Sequence, residues 1–258
     1  MKKIYIVVLF YLPLFILGQN NISVKLIDSI TIKTEKFIGK DVYDNYYSIS
    51  QNTFLKENKS QKLNYQNLTL GNLYTVDYSN PLLLVLFYKD FNSVVLLDQQ
   101  LNEVQKISGN DVGLIFDIIG LARQNSLWFY DAVNQKFGIY NFKENTFQLI
   151  STYFPTKIKY WKSSYNSLNF INENNEAFTL NYFGKIQNLG NVKQSESALI
   201  IEENKIILKQ EGKLYFQTPE NITEIKISQK SFENFCFNDG ILSIFTNEKV
   251  YNYKINLP

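Results

Sequence analysis

NPLLLVLFYKDFNSVVLLDQQLNEVQKI, residues 80–107, is the stretch that decides the fold. It contains an apolar run (81–88), a polar turn (89–93), a second apolar run (94–97), another turn and a short third strand (104–107). Short apolar runs bounded by turn residues are typical of strands that are buried on both faces. The stretch therefore predicts three consecutive antiparallel strands, of which the first two lie inside the protein.

Weaker copies of this pattern recur along the chain. The second strands of the predicted units start at steps of 35 to 45 residues, at Tyr46, Leu82, Leu127, Leu168, Ile206 and Ile241. A repeat of about 40 residues with four strands is the period of a β-propeller blade. We therefore predict an all-β fold, a β-propeller of six four-stranded blades, with five or seven blades as alternatives. A pair of β-sandwiches or an eight-stranded barrel would space the strands without grouping them in fours.

The two ends of the chain are predicted to meet. The sixth unit lacks an outer strand, and residues 22–32 (ISVKLIDSITI) alternate enough to supply it. Such closure would remove exposed sheet edges and join the termini. Two other segments are predicted to open blades: residues 42–49 lead into the first hairpin, and residues 72–78 form the inner strand of the second unit. Residues 19–258 are then a single domain.

The first 18 residues are predicted to be a signal peptide. Lys2 and Lys3 precede an apolar segment (4–17), and Gly18 provides a small residue at a plausible cleavage point. An apolar segment of about 14 residues is shorter than the roughly 18 to 20 that span a bilayer. We therefore expect export to the periplasm or association with the outer membrane, and no membrane span in the mature chain.

Charge and composition narrow the function classes. The chain has 26 basic and 24 acidic residues, so the loss of Lys2 and Lys3 leaves it formally neutral, without the basic excess of a nucleic-acid-binding protein. Histidine is absent, which removes histidine bases, Ser-His-Asp triads and His-ligated metals. The kinds of site that the composition still allows are catalysis by carboxylates and calcium sites with oxygen ligands. The single cysteine, Cys236, cannot form an internal disulfide, and we expect it to be a buried thiol.

Several residues could carry chemistry, and each has a simpler structural explanation. Asp90, Asp98 and Asp131 follow or precede strands at turns, where aspartate commonly accepts bonds from the backbone. Residues 172–176 (NENNE) resemble a calcium loop but lack the spacing of an EF-hand, which favours a hairpin turn.

Aromatic residues offer a second kind of candidate site. Trp128 and Trp161 could stack on ligands, although packing within or between blades is the expected role. An aromatic surface could also form if a further set of residues is exposed, namely Tyr43, Tyr46, Tyr47, Tyr65 and Tyr165.

The run NPLLLVLFYKDFNSVVLLDQQLNE (80–103), followed by SLWFYD (126–131), resembles a family of exported β-propeller proteins of Bacteroidota. Among these, it is similar to the periplasmic plug subunits of the type IX secretion translocon. The resemblance implies a non-catalytic partner that docks on an outer-membrane protein channel. It carries over no individual residue, catalytic or otherwise.

We therefore expect a non-enzymatic interaction protein with no cofactor, metal or catalytic residue. The predicted partner-binding site is the turn after the first apolar run of residues 80–107. Its residues are Tyr88, Lys89, Asp90, Phe91 and Asn92. The alternatives are a propeller that binds carbohydrate or another small ligand, and a carbohydrate-active enzyme that uses carboxylates.

Overall fold

A computed structural model describes residues 22–258, and the predicted signal peptide lies outside these residues. The described chain forms six four-stranded antiparallel sheets arranged as the blades of a β-propeller. The first described strand, β1 (Val24–Thr31), belongs to the sixth blade. The first blade consists of β2 (Lys36–Lys40), β3 (Tyr46–Ser50), β4 (Thr53–Glu57) and β5 (Lys62–Tyr65), and the second of β6 (Thr75–Asp77), β7 (Leu83–Tyr88), β8 (Ser93–Asp98) and β9 (Glu103–Ser108). The third consists of β10 (Phe116–Leu121), β11 (Ser126–Asp131), β12 (Lys136–Asn141) and β13 (Thr146–Leu149). The strands of the last three blades are β14 (Ile158–Ser163), β15 (Ser167–Asn172), β16 (Glu176–Asn181) and β17 (Ile186–Asn191), then β18 (Ser197–Glu202), β19 (Lys205–Gln210), β20 (Lys213–Gln217) and β21 (Ile222–Ile225), then β22 (Asn234–Asn238), β23 (Ile241–Thr246) and β24 (Lys249–Ile255).

The predicted fold class and blade count are confirmed. Each predicted second-strand start lies within one residue of an observed one, and three short 3-10 turns are the helical elements among residues 22–258. Ring closure is also as predicted, because β1 pairs antiparallel with β24 and completes the sixth blade. Ile22 adds a parallel bridge to Ile225 on the fifth blade, so the start of the described chain joins two blades.

The first strand of the first blade was predicted wrongly. Residues 42–45 form a turn, and the inner strand is β2 (Lys36–Lys40). The cause is Asp41, whose Oδ1 accepts the backbone N–H groups of Tyr43 and Asn45, both at 2.9 Å. An aspartate that binds the backbone two residues on forms a turn and competes with strand pairing. The inner strand of the second blade is also shorter than predicted, covering Thr75–Asp77.

The strand order defines two faces of the ring. We call upper the face that carries the connections between blades and the turns between second and third strands. We call lower the face that carries the turns between first and second strands and between third and fourth strands. Because neighbouring strands in each blade are antiparallel, equivalent turns of the six blades lie on the same face; the sixth blade has no turn between its third and fourth strands, since β1 is its fourth strand.

The hydrophobic core lies between the blades, in six clusters that each join two neighbours. Residues 80–107, the stretch that decides the fold, contribute to the interfaces on both sides of the second blade. Leu84 and Leu86 pack towards the first blade, whereas Val85 and Phe87 pack towards the third. Burying one such side chain stabilises the fold by about 1.5–3 kcal/mol. A blade between two neighbours therefore needs apolar residues on both faces, which explains the uninterrupted apolar residues from 84 to 88, whereas Leu82 at the start of the run is exposed.

Candidate functional site

The predicted partner-binding turn lies on the upper face, as a 3-10 turn (Lys89–Phe91) between β7 and β8. Its two ends are not available to a partner, since Tyr88 and Asn92 are buried. Asp90 is exposed, and the Phe91 side chain is 54% exposed. The part of this turn that can touch another molecule is therefore Asp90 and Phe91, with Lys89 partly exposed beside them.

Asn92 holds the turn to the next blade. Its backbone is left-handed, with φ of 48°, a conformation that asparagine tolerates better than most residues. Its Nδ2 donates to the carbonyl of Leu114 at 2.6 Å and to Oδ1 of Asn110 at 2.9 Å, while its Oδ1 accepts the N–H of Phe116 at 2.9 Å. The turn that presents Phe91 is thus fixed by hydrogen bonds across a blade boundary.

Lys89 makes a second connection between these blades. Its ammonium group forms an ion pair with Asp117 on β10 and lies 4.9 Å from the ring centre of Tyr74. Tyr74 in turn stacks on Trp161 of the fourth blade, with ring centroids 6.4 Å apart. Lys89 therefore orders the upper rim more than it offers a free charge.

Exposed apolar side chains continue from Phe91 along the upper face. They occupy the connections into the second, third and fourth blades and the neighbouring second-to-third-strand turns. Ile115 and Val133 are joined through Ala132, whose N–H donates to the carbonyl of Ile115 at 2.8 Å. We call this set the upper apolar patch; its members are Leu68, Tyr74, Phe91, Ile115, Val133 and Tyr153. Exposed apolar patches on a soluble fold are typical of interaction surfaces.

The lower face holds a cavity of about 900 Å³ at the centre of the ring. Its walls come mainly from inner strands and the turns that follow them, and all six blades contribute residues. Such convergence is a consequence of propeller symmetry, because every first-to-second-strand turn faces the axis on this side. The polar and aromatic lining residues include Asp77, Tyr78, Trp161, Lys162, Ser163 and Tyr165.

Asp77, at the end of β6, links the second blade to the third and fourth blades across the wall of this cavity. Its Oδ2 accepts the hydroxyl of Ser163 on the fourth blade and the N–H of Leu121 on the third, at 2.7 Å. Its Oδ1 accepts the N–H of Ser79 at 2.9 Å. The carboxylate is therefore an acceptor shared by three chain segments, which favours a positioning role over free acid–base chemistry.

Lys162 lies beside it and is held by the carbonyl of Ile201, 2.9 Å from Nζ. Burial lowers the pKa of Lys162, and the nearby charges of Glu202 and Asp77 act in the opposite direction. Tyr78 packs over Gly39, where any larger side chain would collide with its ring. Burial, assisted by Cys236, raises the pKa of Tyr78, so this phenol is a neutral hydrogen-bonding group.

The other sequence candidates have structural roles. Asp98 accepts the side-chain amide of Asn102 at 2.9 Å and the backbone N–H groups of Asn102 (2.9 Å) and Gln100 (2.8 Å), and these hydrogen bonds close its turn and lower its pKa. Asp131 is fully buried and accepts the N–H of Ile115 at 3.0 Å.

The 172–176 segment is a hairpin turn. Oδ1 of Asn172 accepts the N–H groups of Asn174 (3.0 Å) and Glu176 (2.9 Å), and its Nδ2 donates to Glu176 Oε2. Within residues 22–258, no group of three or more Asp, Glu, Cys or His side chains is placed to hold a metal ion.

The two tryptophans and the cysteine differ in exposure. Trp128 is fully buried between the third and fourth blades. Trp161 lines the lower cavity and donates from Nε1 to the carbonyl of Ile119 at 3.0 Å. Cys236 is buried, and burial raises the pKa of its thiol to about 11. Of the three, Trp161 is the one placed to meet a ligand.

Sequence reasoning missed Asp77, Lys162 and Ser163. Their signal was present in the repeat, because residues at the ends of inner strands converge at one end of a propeller axis.

Among the described residues, no helix is long and apolar enough to cross a membrane.

Comparison with known proteins gives structural neighbours only. No family model matches the chain, and no curated protein matches it. A member of the DUF4221 family from Bacteroides vulgatus superposes with a TM-score of 0.57 at 7% identity, covering 92% of this chain and 99% of that one. The virginiamycin B lyase of Staphylococcus aureus superposes with a TM-score of 0.56 at 13% identity, covering 92% of this chain and 95% of that one.

A third neighbour is the extracellular domain of the protein BT4673 from B. thetaiotaomicron. It has a TM-score of 0.52 at 10% identity, over 84% of this chain and 33% of that chain. At these identities the similarity establishes the propeller fold and nothing about chemistry. Two of these three neighbours are proteins of Bacteroides vulgatus and B. thetaiotaomicron.

Proposed function

We propose that the chain is a non-catalytic, exported protein-interaction subunit that docks a protein partner on its upper face. The observation that carries the proposal is the upper apolar patch, which follows three successive blades around Phe91. Several of its members are positioned by fixed contacts, including the Asn92 bonds and the Lys89–Asp117 ion pair. A preorganised apolar surface loses little conformational entropy on association.

The finer proposal names the partner as an outer-membrane channel of the type IX secretion translocon. It is supported by the resemblance of residues 80–103 and by the predicted signal peptide. A formally neutral mature chain is compatible with a partner that is recognised by apolar contact rather than by charge.

Site-specific crosslinking in the native host tests both levels. A photoreactive phenylalanine analogue is placed at Phe91, with a matched control at Tyr43, an exposed aromatic on the lower face. We expect position 91 to form an adduct that mass spectrometry identifies as an outer-membrane protein, and Val133→Asp to reduce its yield at least fivefold. Equal adducts from both positions, or none from position 91, would contradict docking on the upper face. An adduct with a soluble protein would retain the docking proposal and reject the translocon.

A second candidate function is carbohydrate binding in the lower cavity, favoured by the position of Trp161 beside Asp77 and Tyr165. An aromatic wall with a few fixed polar groups is typical of ligand sites. Tryptophan fluorescence during titration with oligosaccharides tests it, with Trp161→Phe as the control, because the remaining Trp128 is buried in a blade interface. An unchanged spectrum across neutral and acidic oligosaccharides would argue against this function.

Catalysis receives less support. One solved neighbour is a histidine-to-alanine variant of virginiamycin B lyase described as catalytically inactive, and this chain contains no histidine. Two carboxylates line the cavity, Asp41 and Asp77. Each already accepts several hydrogen bonds, Asp41 from Asn45 and Tyr47 as well as from the backbone.

A further inference from the structure

A groove of about 570 Å³ lies between the third and fourth blades, outside both surfaces described above. One side is the outer strand β13, and the other is the turn after β16, with Tyr182 and Phe183. Arg123, in the turn between β10 and β11, lies at its base. β13 is the last strand of its blade and pairs with β12 alone, so the groove follows a sheet edge.

Arg123 is the one arginine in the sequence. Its guanidinium carbon lies 3.6 Å from the ring centre of Tyr182, so the planar group stacks on the phenol ring. No side-chain hydrogen bond or ion pair joins Arg123 to another residue of the 22–258 chain, and its buried Nε has no acceptor. A buried donor without a partner is costly, and proteins normally satisfy such groups.

The surroundings select the sign and shape of an occupant. None of the residues that line the groove is acidic, so the charge of Arg123 is not neutralised within it. A guanidinium presents its N–H groups as a rigid fork that matches a carboxylate. Stacking on Tyr182 orients that fork before any ligand arrives.

The groove also has apolar walls. Phe147 on β13 is partly exposed, and the Phe183 side chain is 85% exposed, the largest value among the exposed apolar residues of the described chain. Leu149 and Ile150 extend the wall. A small inorganic anion would leave these side chains uncovered, whereas a ligand that also carries an aromatic or aliphatic body would cover them.

We propose that this groove binds a carboxylate attached to an apolar body, with the carboxylate on Arg123 and the apolar part between Phe147 and Phe183. The alternative is that Arg123 only covers Tyr182 with its stem and stays solvated at its tip. The two explanations differ in whether a neutral analogue of the ligand binds as well as the acid.

The lone arginine provides a direct reporter, because a 15N-labelled chain has a single arginine Nε–H resonance. The chain is titrated with N-acetylphenylalanine and, separately, with N-acetylphenylalanine amide at the same ionic strength. We expect the acid to shift this resonance and to bind at least tenfold more tightly than the amide. Equal shifts with acid and amide, or no shift with either, would overturn the proposal.

Variants then separate charge from geometry, with binding followed by the backbone amides of Phe183 and Gly184. Arg123→Gln should abolish the preference for the acid, and Arg123→Lys should weaken binding at least fivefold despite keeping the charge. Phe183→Ala removes a ring that is largely exposed, and it should weaken binding of the acid at least threefold. Wild-type binding in Arg123→Gln would refute the assignment.

Further ligands identify the source of the carboxylate. A tetrapeptide ending in phenylalanine that binds at least tenfold more tightly than 3-phenylpropionate would identify a polypeptide C-terminus as the occupant. Equal affinities would identify free carboxylic acids. Acetate binding as tightly as 3-phenylpropionate would overturn the apolar part of the proposal.

Discussion

Replacing Asn92 with alanine should destabilise the propeller although the residue belongs to a surface turn. The side chain bridges two blades through Asn110, Leu114 and Phe116. Alanine would remove all three hydrogen bonds and leave the carbonyl of Leu114 and the N–H of Phe116 without these partners. It would also have to adopt the left-handed backbone of this position, which asparagine tolerates better.

The size of the effect follows from these contacts. Each net hydrogen bond stabilises a protein by about 1 kcal/mol, so three of them account for about 3 kcal/mol. The unfavourable backbone conformation adds up to about 1 kcal/mol. We therefore expect the free energy of unfolding to fall by about 3–4 kcal/mol.

Urea unfolding followed by tryptophan fluorescence measures this change, since Trp128 is fully buried and reports on a blade interface. With a slope of about 3 kcal/mol per molar urea, the midpoint should decrease by about 1 M. Phe91→Ala is the matched control one residue away, and an exposed ring of this kind should change stability by less than about 0.5 kcal/mol. An Asn92→Ala midpoint close to that of Phe91→Ala would refute the bridging role.

Three further predictions concern the interior. Val95→Asp places an unpaired carboxylate at a fully buried position and should leave the protein unfolded by circular dichroism, whereas a folded protein would contradict burial of β8 on both faces. Gly39→Ala would drive its Cβ into the Tyr78 hydroxyl oxygen and the ring carbon that bears it, so it should lower the thermal midpoint, and adding Tyr78→Phe should restore only part of the loss because the ring carbon remains. Burial raises the pKa of Cys236 from 9.0 to about 11, so at pH 8 its thiolate fraction is about a hundredfold below that of a free thiol, and labelling by a disulfide reagent should be slower by at least that factor until urea is added. The raised pKa also means that this thiol stabilises the fold below pH 9 and loses that contribution as the pH rises from 9 to 11. Cys236→Ala should therefore show a smaller decline over this range, because the part that remains comes from buried tyrosines such as Tyr78, whose pKa is also raised.

The blade architecture could be predicted from the sequence because it depends on local pattern. Strand–turn periodicity marked all six second strands, and the apolar run at 81–88 indicated burial on both faces. The first inner strand could not be placed, because the side chain of Asp41 closes a turn within an otherwise strand-like segment. The predicted partner-binding turn lies on the upper face, and its exposed part is Asp90 and Phe91, since Tyr88 and Asn92 are buried in the blade.

The sequence by itself determined the class, the repeat and the closure of the ring, because apolar spacing and turn residues act over a few neighbours. The tertiary structure alone decided which distant side chains meet. Ser163 reaches Asp77 across 86 positions of the chain, and Arg123 stacks on Tyr182 from a neighbouring blade. No periodicity encodes such pairs, since ring geometry brings together the ends of strands whose separation along the chain depends on the loops between them.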